Sequence, residues 1–373
     1  KALNQFAPSR YAMLAGLQAA RTLFQLKKIE AVNQAYEALL LKFPKTDNLD
    51  KILDEWALIN YEAEQFEKSD AIFRRLVKET PDSDLADNAR LSLAESDLIA
   101  GKLPEAAKAF DELQASPKSD EKVQQVSLYR LIEINLELKK WDLVDKFSKA
   151  LLKRFPKNEY AAFAQFHEAE AALHQNQIEA AQAELLKLLE KEKTAELSQA
   201  PWYPRAWVLL AETYFRQKKY EEVKKTVDGF RSWDPDNPFL YQAEEVLGRS
   251  LKNQAKFEEA RKVFQQITES EHSRRTETAA KCQFLLAETL MIQEKFKEAL
   301  LAYLQVDIQY KFPEWQAPAL FQAGMCHEAM MEWAKALKTY QDFLKRFPEH
   351  ELVSRTQERV KEVQARLGKA NKP

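Results

Sequence analysis

Five histidines and two cysteines are the side chains of this chain with the most direct claim to chemistry. His167 and His174 lie seven residues apart, so on one helix they could share a face and offer two imidazoles to a metal ion. Helical zinc pairs are spaced by four and need a third ligand, and neither condition is met. Cys326 and His327 adjoin, but neighbours on a helix point in different directions and make a poor nucleophile–base pair. Cys282 and Cys326 read as two buried thiols and leave the redox compartment open. Carboxylates are spread along the whole chain, as on any solvated helical surface, so none singles itself out as a general acid or base. Phosphate loops need glycine; the chain has six, and Gly101-Lys102 reads as a turn between helices. No catalytic, cofactor-binding or metal-ligating set is expected, and the chain reads as non-enzymatic.

The composition narrows the remaining classes. Of 373 residues, 31% are charged and 11% aromatic, which suits a folded chain better than a disordered one. A formal net charge of -2 provides no bulk field for nucleic acid or an anionic membrane. No apolar run approaches the roughly 18 residues that would span a bilayer. The chain opens at Lys1 rather than Met, so a processed form or a fragment is expected, with any signal peptide, lipid anchor or membrane helix outside it.

The elements that would position any functional side chain come from an internal repeat. An apolar mark recurs at Ile29, Phe66, Leu103, Trp141, Ile178, Tyr220, Phe257, Phe296 and Trp333, in steps of 37, 37, 38, 37, 42, 37, 39 and 37. Nine before it stand Ala20, Ala57, Ala94, Ile132, Ala169, Ala211, Gly248, Ala287 and Gly324, small in eight units of nine. Small residues there let two helices approach closely. Three after it come Val32, Ser69, Ala106, Val144, Ala181, Val223, Ala260, Ala299 and Ala336. Seven after it come Tyr36, Phe73, Phe110, Leu185, Phe264, Tyr303 and Tyr340, with Ser148 breaking the series and Phe147 one place early. Ten after it every unit is bulky and apolar, from Leu39 to Phe343. Pro44, Pro81, Pro156, Pro235 and Pro348 stand fifteen after it, with Pro117 and Pro313 displaced. Each unit therefore reads as a helix A carrying the small residue, a short turn holding the mark, and a helix B that proline ends. Neither helix can bury its stripe alone, so hairpin must stack on hairpin.

This order of small, aromatic, alanine, aromatic and proline resembles the tetratricopeptide repeat, over essentially Arg10 to Pro348. The resemblance implies an all-α, right-handed solenoid of about nine hairpins, with Glu349–Leu367 as a capping helix and a loose tail from Gly368. The ends Leu40-Leu41-Lys42-Phe43-Pro44, Leu152-Lys153-Arg154-Phe155-Pro156 and Leu344-Lys345-Arg346-Phe347-Pro348 resemble, more weakly, bacterial envelope proteins such as the barrel-assembly lipoprotein and the periplasmic partner of the Tol–Pal system. The long step contains Lys191–Pro204, expected to be a loop and a hinge between an N-terminal arc (1–195) and a C-terminal arc (196–348), followed by the cap and tail (349–373).

The same resemblance turns helix A toward a groove. The residues it places there are Tyr61, Glu95, Tyr129, Glu133, Phe166, Glu170, Glu212, Phe215, Phe284, Glu288 and Phe321, with Arg21 and Arg249 interrupting the acidic series. One expectation is an acidic ladder with aromatic shelves, suited to a peptide or protein partner with basic and apolar side chains. The other is structural: glutamates pair with basic residues of the next unit, and aromatics fill space between A helices. Pairs such as Asp54/Leu58 and Leu91/Glu95, where a carboxylate clamp would need Lys and Asn, count against a cochaperone. The resulting expectation is a protein-interaction scaffold in bacterial envelope assembly or maintenance, periplasmic or outer-membrane-associated. It binds no nucleic acid, needs no cofactor, and meets a membrane only through an N-terminal anchor beyond Lys1. The alternatives are a cytoplasmic regulatory or assembly protein of the same fold, and the non-catalytic module of a larger enzyme or sensor.

Overall fold

The structure is a computed structural model that describes residues 9–190 and 195–370. Among the described residues it is all-helical. Its contacts divide the chain into two compact units, Lys1–Ala171 and Ala172–Pro373. The first unit holds the helices α1 (Arg10–Gln25), α2 (Ile29–Lys42), α3 (Leu49–Glu62), α4 (Phe66–Glu79), α5 (Ala86–Ile99), α6 (Leu103–Ala115), α7 (Glu121–Glu137) and α8 (Trp141–Arg154), and most of α9 (Ala161–His174). The second holds the end of α9, then α10 (Ile178–Glu190), α11 (Ala195–Ser198), α12 (Tyr203–Arg216), α13 (Tyr220–Trp233), α14 (Leu240–Asn253) and α15 (Phe257–Glu269). It continues with α16 (Glu277–Ile292), α17 (Phe296–Gln309), α18 (Pro313–Ala329), α19 (Trp333–Arg346) and α20 (Val353–Ala370). The division falls inside α9, where Ala172 and Leu173 pack with Ile178, Ala181 and Leu209. The sequence had set its boundary later, at residue 195.

Within each unit successive helices pair as antiparallel hairpins, each hairpin packed on the next. The mark is the first residue of helix B in all nine described hairpins, not a turn residue. The turn lies just before it, and its geometry is constant. Two residues before the mark the backbone enters the left-handed region at Lys27, Glu64, Gly101, Lys139, Asn176, Lys218, Ala255, Glu294 and Met331, with φ between 53° and 74°. That conformation closes helix A through two reversed bonds. In the first hairpin the Lys28 amide donates to the Leu23 carbonyl (2.9 Å) and the Lys27 amide to that of Phe24 (2.7 Å). Only one of the nine positions is glycine, so eight side chains occupy a backbone region that L-residues disfavour.

The small residue nine before the mark explains how closely the helices meet. Gly248 faces the buried ring of Phe264, and Gly324 faces that of Tyr340. A Cβ at either glycine would overlap the ring. These aromatics stand seven after the mark, so the two strongest periodic positions are the two sides of one contact. The residues three and ten after the mark are also buried in the hairpins, from Val32 and Leu39 to Ala336 and Phe343. Some polar groups enter with partners: the Ser69 hydroxyl donates to the Ala57 carbonyl (2.9 Å). Buried Asn33 accepts from the Trp56 indole (2.7 Å) and the Asn60 amide (3.0 Å), joining the first two hairpins.

Two expectations change here. Pro313 starts α18 at its first turn, where a missing amide costs nothing, instead of ending α17. In the long step, residues 191–194 lie outside the described residues. Its C-terminal end is not an open loop: Tyr203 and Pro204 are buried at the start of α12. Tyr203 packs edge-on against Trp233 (5.2 Å), which stacks with Trp207 (6.5 Å). The expected cap exists as α20, with Val363 buried and Val360 and Leu367 packed on the last hairpin. Residues 371–373 of the tail lie outside the described residues.

Two substitutions test the hairpin rule. Gly324→Ala should lower unfolding free energy in urea by about 1–3 kcal/mol, because overpacking the Tyr340 ring outweighs the gain in helix propensity. Ala255→Gly, at an exposed left-handed position, should raise it by about 0.5–1 kcal/mol. Equal and opposite results would discredit the proposed geometry.

Candidate functional site: the face of the A helices

The structure divides the eleven groove candidates by burial. Phe166 and Phe321 are almost completely buried, so they belong to the core and not to an open groove surface. Phe321 packs against Tyr340 (5.8 Å) and Phe343 (6.4 Å). Helical periodicity cannot separate an inward aromatic from an outward one when both sides of a helix are in contact. Phe284 is half-buried between Tyr303 (5.4 Å) and Trp315 (5.8 Å). Tyr129 stacks on Tyr160 (4.4 Å) and touches Phe163 (4.8 Å). Phe215 lies half-buried beneath the Arg249 guanidinium (4.3 Å). Tyr61 alone among these aromatics is mostly exposed, its edge toward Phe66 (5.4 Å).

The glutamates are engaged within the protein. In the first unit Arg130 of α7 donates to Glu95 of α5 (2.7 Å) and to Glu133 of its own helix (2.7 Å), which also accepts from the Tyr129 hydroxyl (2.6 Å). Burial works against the Arg130 charge, and the two carboxylates overcome it, holding its pKa above the ordinary arginine value. Arg21 likewise joins α1 to Glu55 of α3 (2.5 and 2.9 Å). Glu170 is buried and pairs with buried His167 (2.9 Å).

In the second unit a rail of charge crosses α12, α14 and α16. Glu212 holds Arg249 (2.5 Å) and Arg216 (3.0 Å); Arg249 also meets buried Glu245 (2.7 Å), which takes Lys281 (2.9 Å). Glu288 pairs with Lys252. Glu328, which the acidic series did not include, accepts from the Tyr340 hydroxyl (2.6 Å) and from Arg359 of the capping helix (2.9 Å). The A-helix face is therefore not an open acidic ladder. Its carboxylates and the basic residues of neighbouring hairpins neutralise one another, and that pairing ties hairpin to hairpin.

Large apolar side chains are among those left exposed on this face. Leu14 and Leu58 are 50% exposed, Tyr61 51% and Ile99 80%. They stand on α1, α3 and α5 at offsets of fifteen, eight, five and four before the mark, positions that the repeat directs to one face. Asp54 adjoins them on α3; burial, with Asp50 and Glu55 nearby, raises its pKa above the usual carboxylate value. Leu14, Leu58 and Ile99 fall outside the aromatic and acidic series, and their exposure depends on what the adjoining hairpins leave uncovered.

The thiol and imidazole candidates stay apart. Cys326 directs its Sγ at Met291 Sδ (3.3 Å), while His327 Nδ1 meets Glu332 (2.7 Å). Cys282 is fully buried, and burial pushes its thiol pKa up; burial pushes that of Cys326 up to about 12. Among the described residues no group of three or more metal-ligating side chains converges. No described helix is long and apolar enough to cross a membrane.

The molecule is thus a protein of stacked helical hairpins with a charge-paired A-helix face and a short apolar strip. Residues 143–285 match a tetratricopeptide repeat-like domain family, and residues 55–120 and 318–350 match tetratricopeptide repeat families. The chain belongs to the tetratricopeptide-repeat proteins, whose members are generally protein-interaction scaffolds. Solved structures it resembles include a tetratricopeptide repeat protein from Parabacteroides merdae, at 15% identity and TM-score 0.48, covering 73% of this chain and 97% of that one. Another is pilF from Pseudomonas aeruginosa, at 15% identity and TM-score 0.47, covering 65% and 97%. No curated protein sequence matches the chain.

Two measurements probe this site. Glu212→Gln should lower stability by about 1–3 kcal/mol in urea melts, since Arg249, largely shielded from water, would lose one carboxylate. An unchanged melt would show that the rail is idle. At pH 8 a thiol with a pKa near 12 is about one part in ten thousand thiolate. Ellman's reagent should therefore leave both cysteines unmodified until denaturant is added; prompt labelling of the native protein would contradict their burial.

Proposed function

We propose that this chain is a non-catalytic scaffold that holds an apolar, basic-flanked segment of a partner protein on the A-helix face of its first unit. One observation carries the reading: Leu14, Leu58, Tyr61 and Ile99 leave half or more of their surface in water on the A-helix face of the first unit. Exposed apolar side chains gathered on one face are the usual mark of an interaction surface. Around them Asp54 and Glu62 outnumber Lys51, while Arg21 and Glu95 are already paired, with Glu55 and Arg130, so the strip favours cationic flanks. This narrows the acidic-groove expectation to three helices and makes apolar contact its main term.

The setting we propose is assembly or maintenance of a bacterial envelope, on the periplasmic side or at the outer membrane. Its support is the resemblance of the Leu-Lys-Phe-Pro and Lys-Arg-Phe-Pro helix ends to envelope proteins of this family. Cell fractionation with protease protection tests it, and a purely cytoplasmic distribution would end it.

The binding face has its own test. A photocrosslinking residue at Tyr61, in the cell of origin, should give a discrete adduct that one at Lys146 does not. Leu58→Asp with Tyr61→Asp should remove the adduct while changing stability by no more than about 0.5 kcal/mol, because both side chains are exposed. An adduct surviving both changes would sink the assignment of this face.

A further inference from the structure

A second surface lies on the other side of the second unit, on helix B of the eighth hairpin. Helix α17 is apolar on both sides. Its inner stripe, Ala299, Tyr303 and Val306, is buried in the core. Its outer stripe is Leu301, Leu304 and Ile308, spaced by three and four so that all share one side. Leu301 is 59% exposed and Ile308 79%. Most B helices of the chain solvate this side: Lys146, Lys225 and Lys262 stand at the Leu301 offset, and Lys78, Lys153 and Lys345 at that of Ile308. A helix greasy on both sides is ordinarily covered on both.

Beside this stripe runs a groove of about 440 Å³ between α17 and α19, floored by Leu304 and by Leu320 of α18. Its acidic residues are already satisfied: Asp307 and Asp342 both bind Arg346, at 2.5 and 3.3 Å. Its rim lysines, Lys338 and Lys345, are exposed and form no ion pair among the described residues. Lys297 and Glu298, four and three residues before Leu301, are both exposed and offset one another, so the border takes its sign from Lys338 and Lys345. The surface is therefore an apolar channel with a cationic border.

We propose that this α17–α19 channel docks an amphipathic helix of a partner protein, with apolar side chains in the channel and acidic residues on its flanks. Two or three apolar anchors at helical spacing fit a stripe of this length, and charge complementarity selects the acidic flanks. A groove with a floor receives protruding side chains, which favours a helix over a flat lipid surface. The site shares no residue with the A-helix strip.

The test uses the full chain and a fluorescent synthetic helix of about 18 residues with leucines on one side and glutamates flanking them. Anisotropy should show saturable binding, weakened by salt. The variant Leu301→Glu with Ile308→Glu should weaken it at least about tenfold with an unchanged thermal melt. Lys338→Glu with Lys345→Glu should weaken it too, and this pair keeps the proposal testable should the first variant unfold. Absent binding, equal binding to the first variant, or preference for a lysine-flanked helix would overturn it. So would self-association in sedimentation, or binding to phosphatidylglycerol vesicles, in place of peptide binding and abolished by Ile308→Glu; these would assign the face to a second copy or to lipid.

Discussion

The structure rests on one steric fit repeated along the chain: a nearly absent side chain on helix A received against a full-sized one on helix B. Where the small member is glycine, the ring of Phe264 or Tyr340 lies where its Cβ would be. That contact sets the helix separation within those hairpins. Once it is set, the positions three and ten after the mark fall into contact without further adjustment, and the next hairpin finds a complementary surface. A larger residue on helix A would push the hairpin open and spoil the stacking on both sides, because interiors packed this tightly transmit a local misfit.

Charge supports this fit and also limits function. Arg130, Arg249 and Arg359 each bridge one hairpin or cap to its neighbour. The carboxylates they engage include Glu95 of the proposed binding face. A basic ligand on that face would compete with built-in cations, and partly buried pairs are costly to break. On the proposed face, discrimination would fall to shape and apolar contact at the uncovered positions Leu58, Tyr61 and Ile99.

The repeat itself was plain in the chain, since residue size recurs with a nearly fixed period and size is what hairpin packing reads. The turn was not. Gly101 marks its left-handed position, but the equivalents include Lys27, Glu64 and Met331, whose types do not suggest it. Those residues adopt that backbone because the two helices on either side demand it. The partnerships of the glutamates were likewise hidden. Glu212 and Arg249 are 37 residues apart, and only stacking shows that they meet.

The amino-acid order alone determined the helical class, the register of the hairpins and the side of helix B that is buried, because these follow from periodic size and polarity along a single helix. The tertiary structure alone decided which A-helix aromatics are core, which carboxylates are already neutralised, and that α17 carries a second apolar side at the surface. Those outcomes depend on what the neighbouring hairpin presents across the gap, and periodicity within one helix carries no information about that.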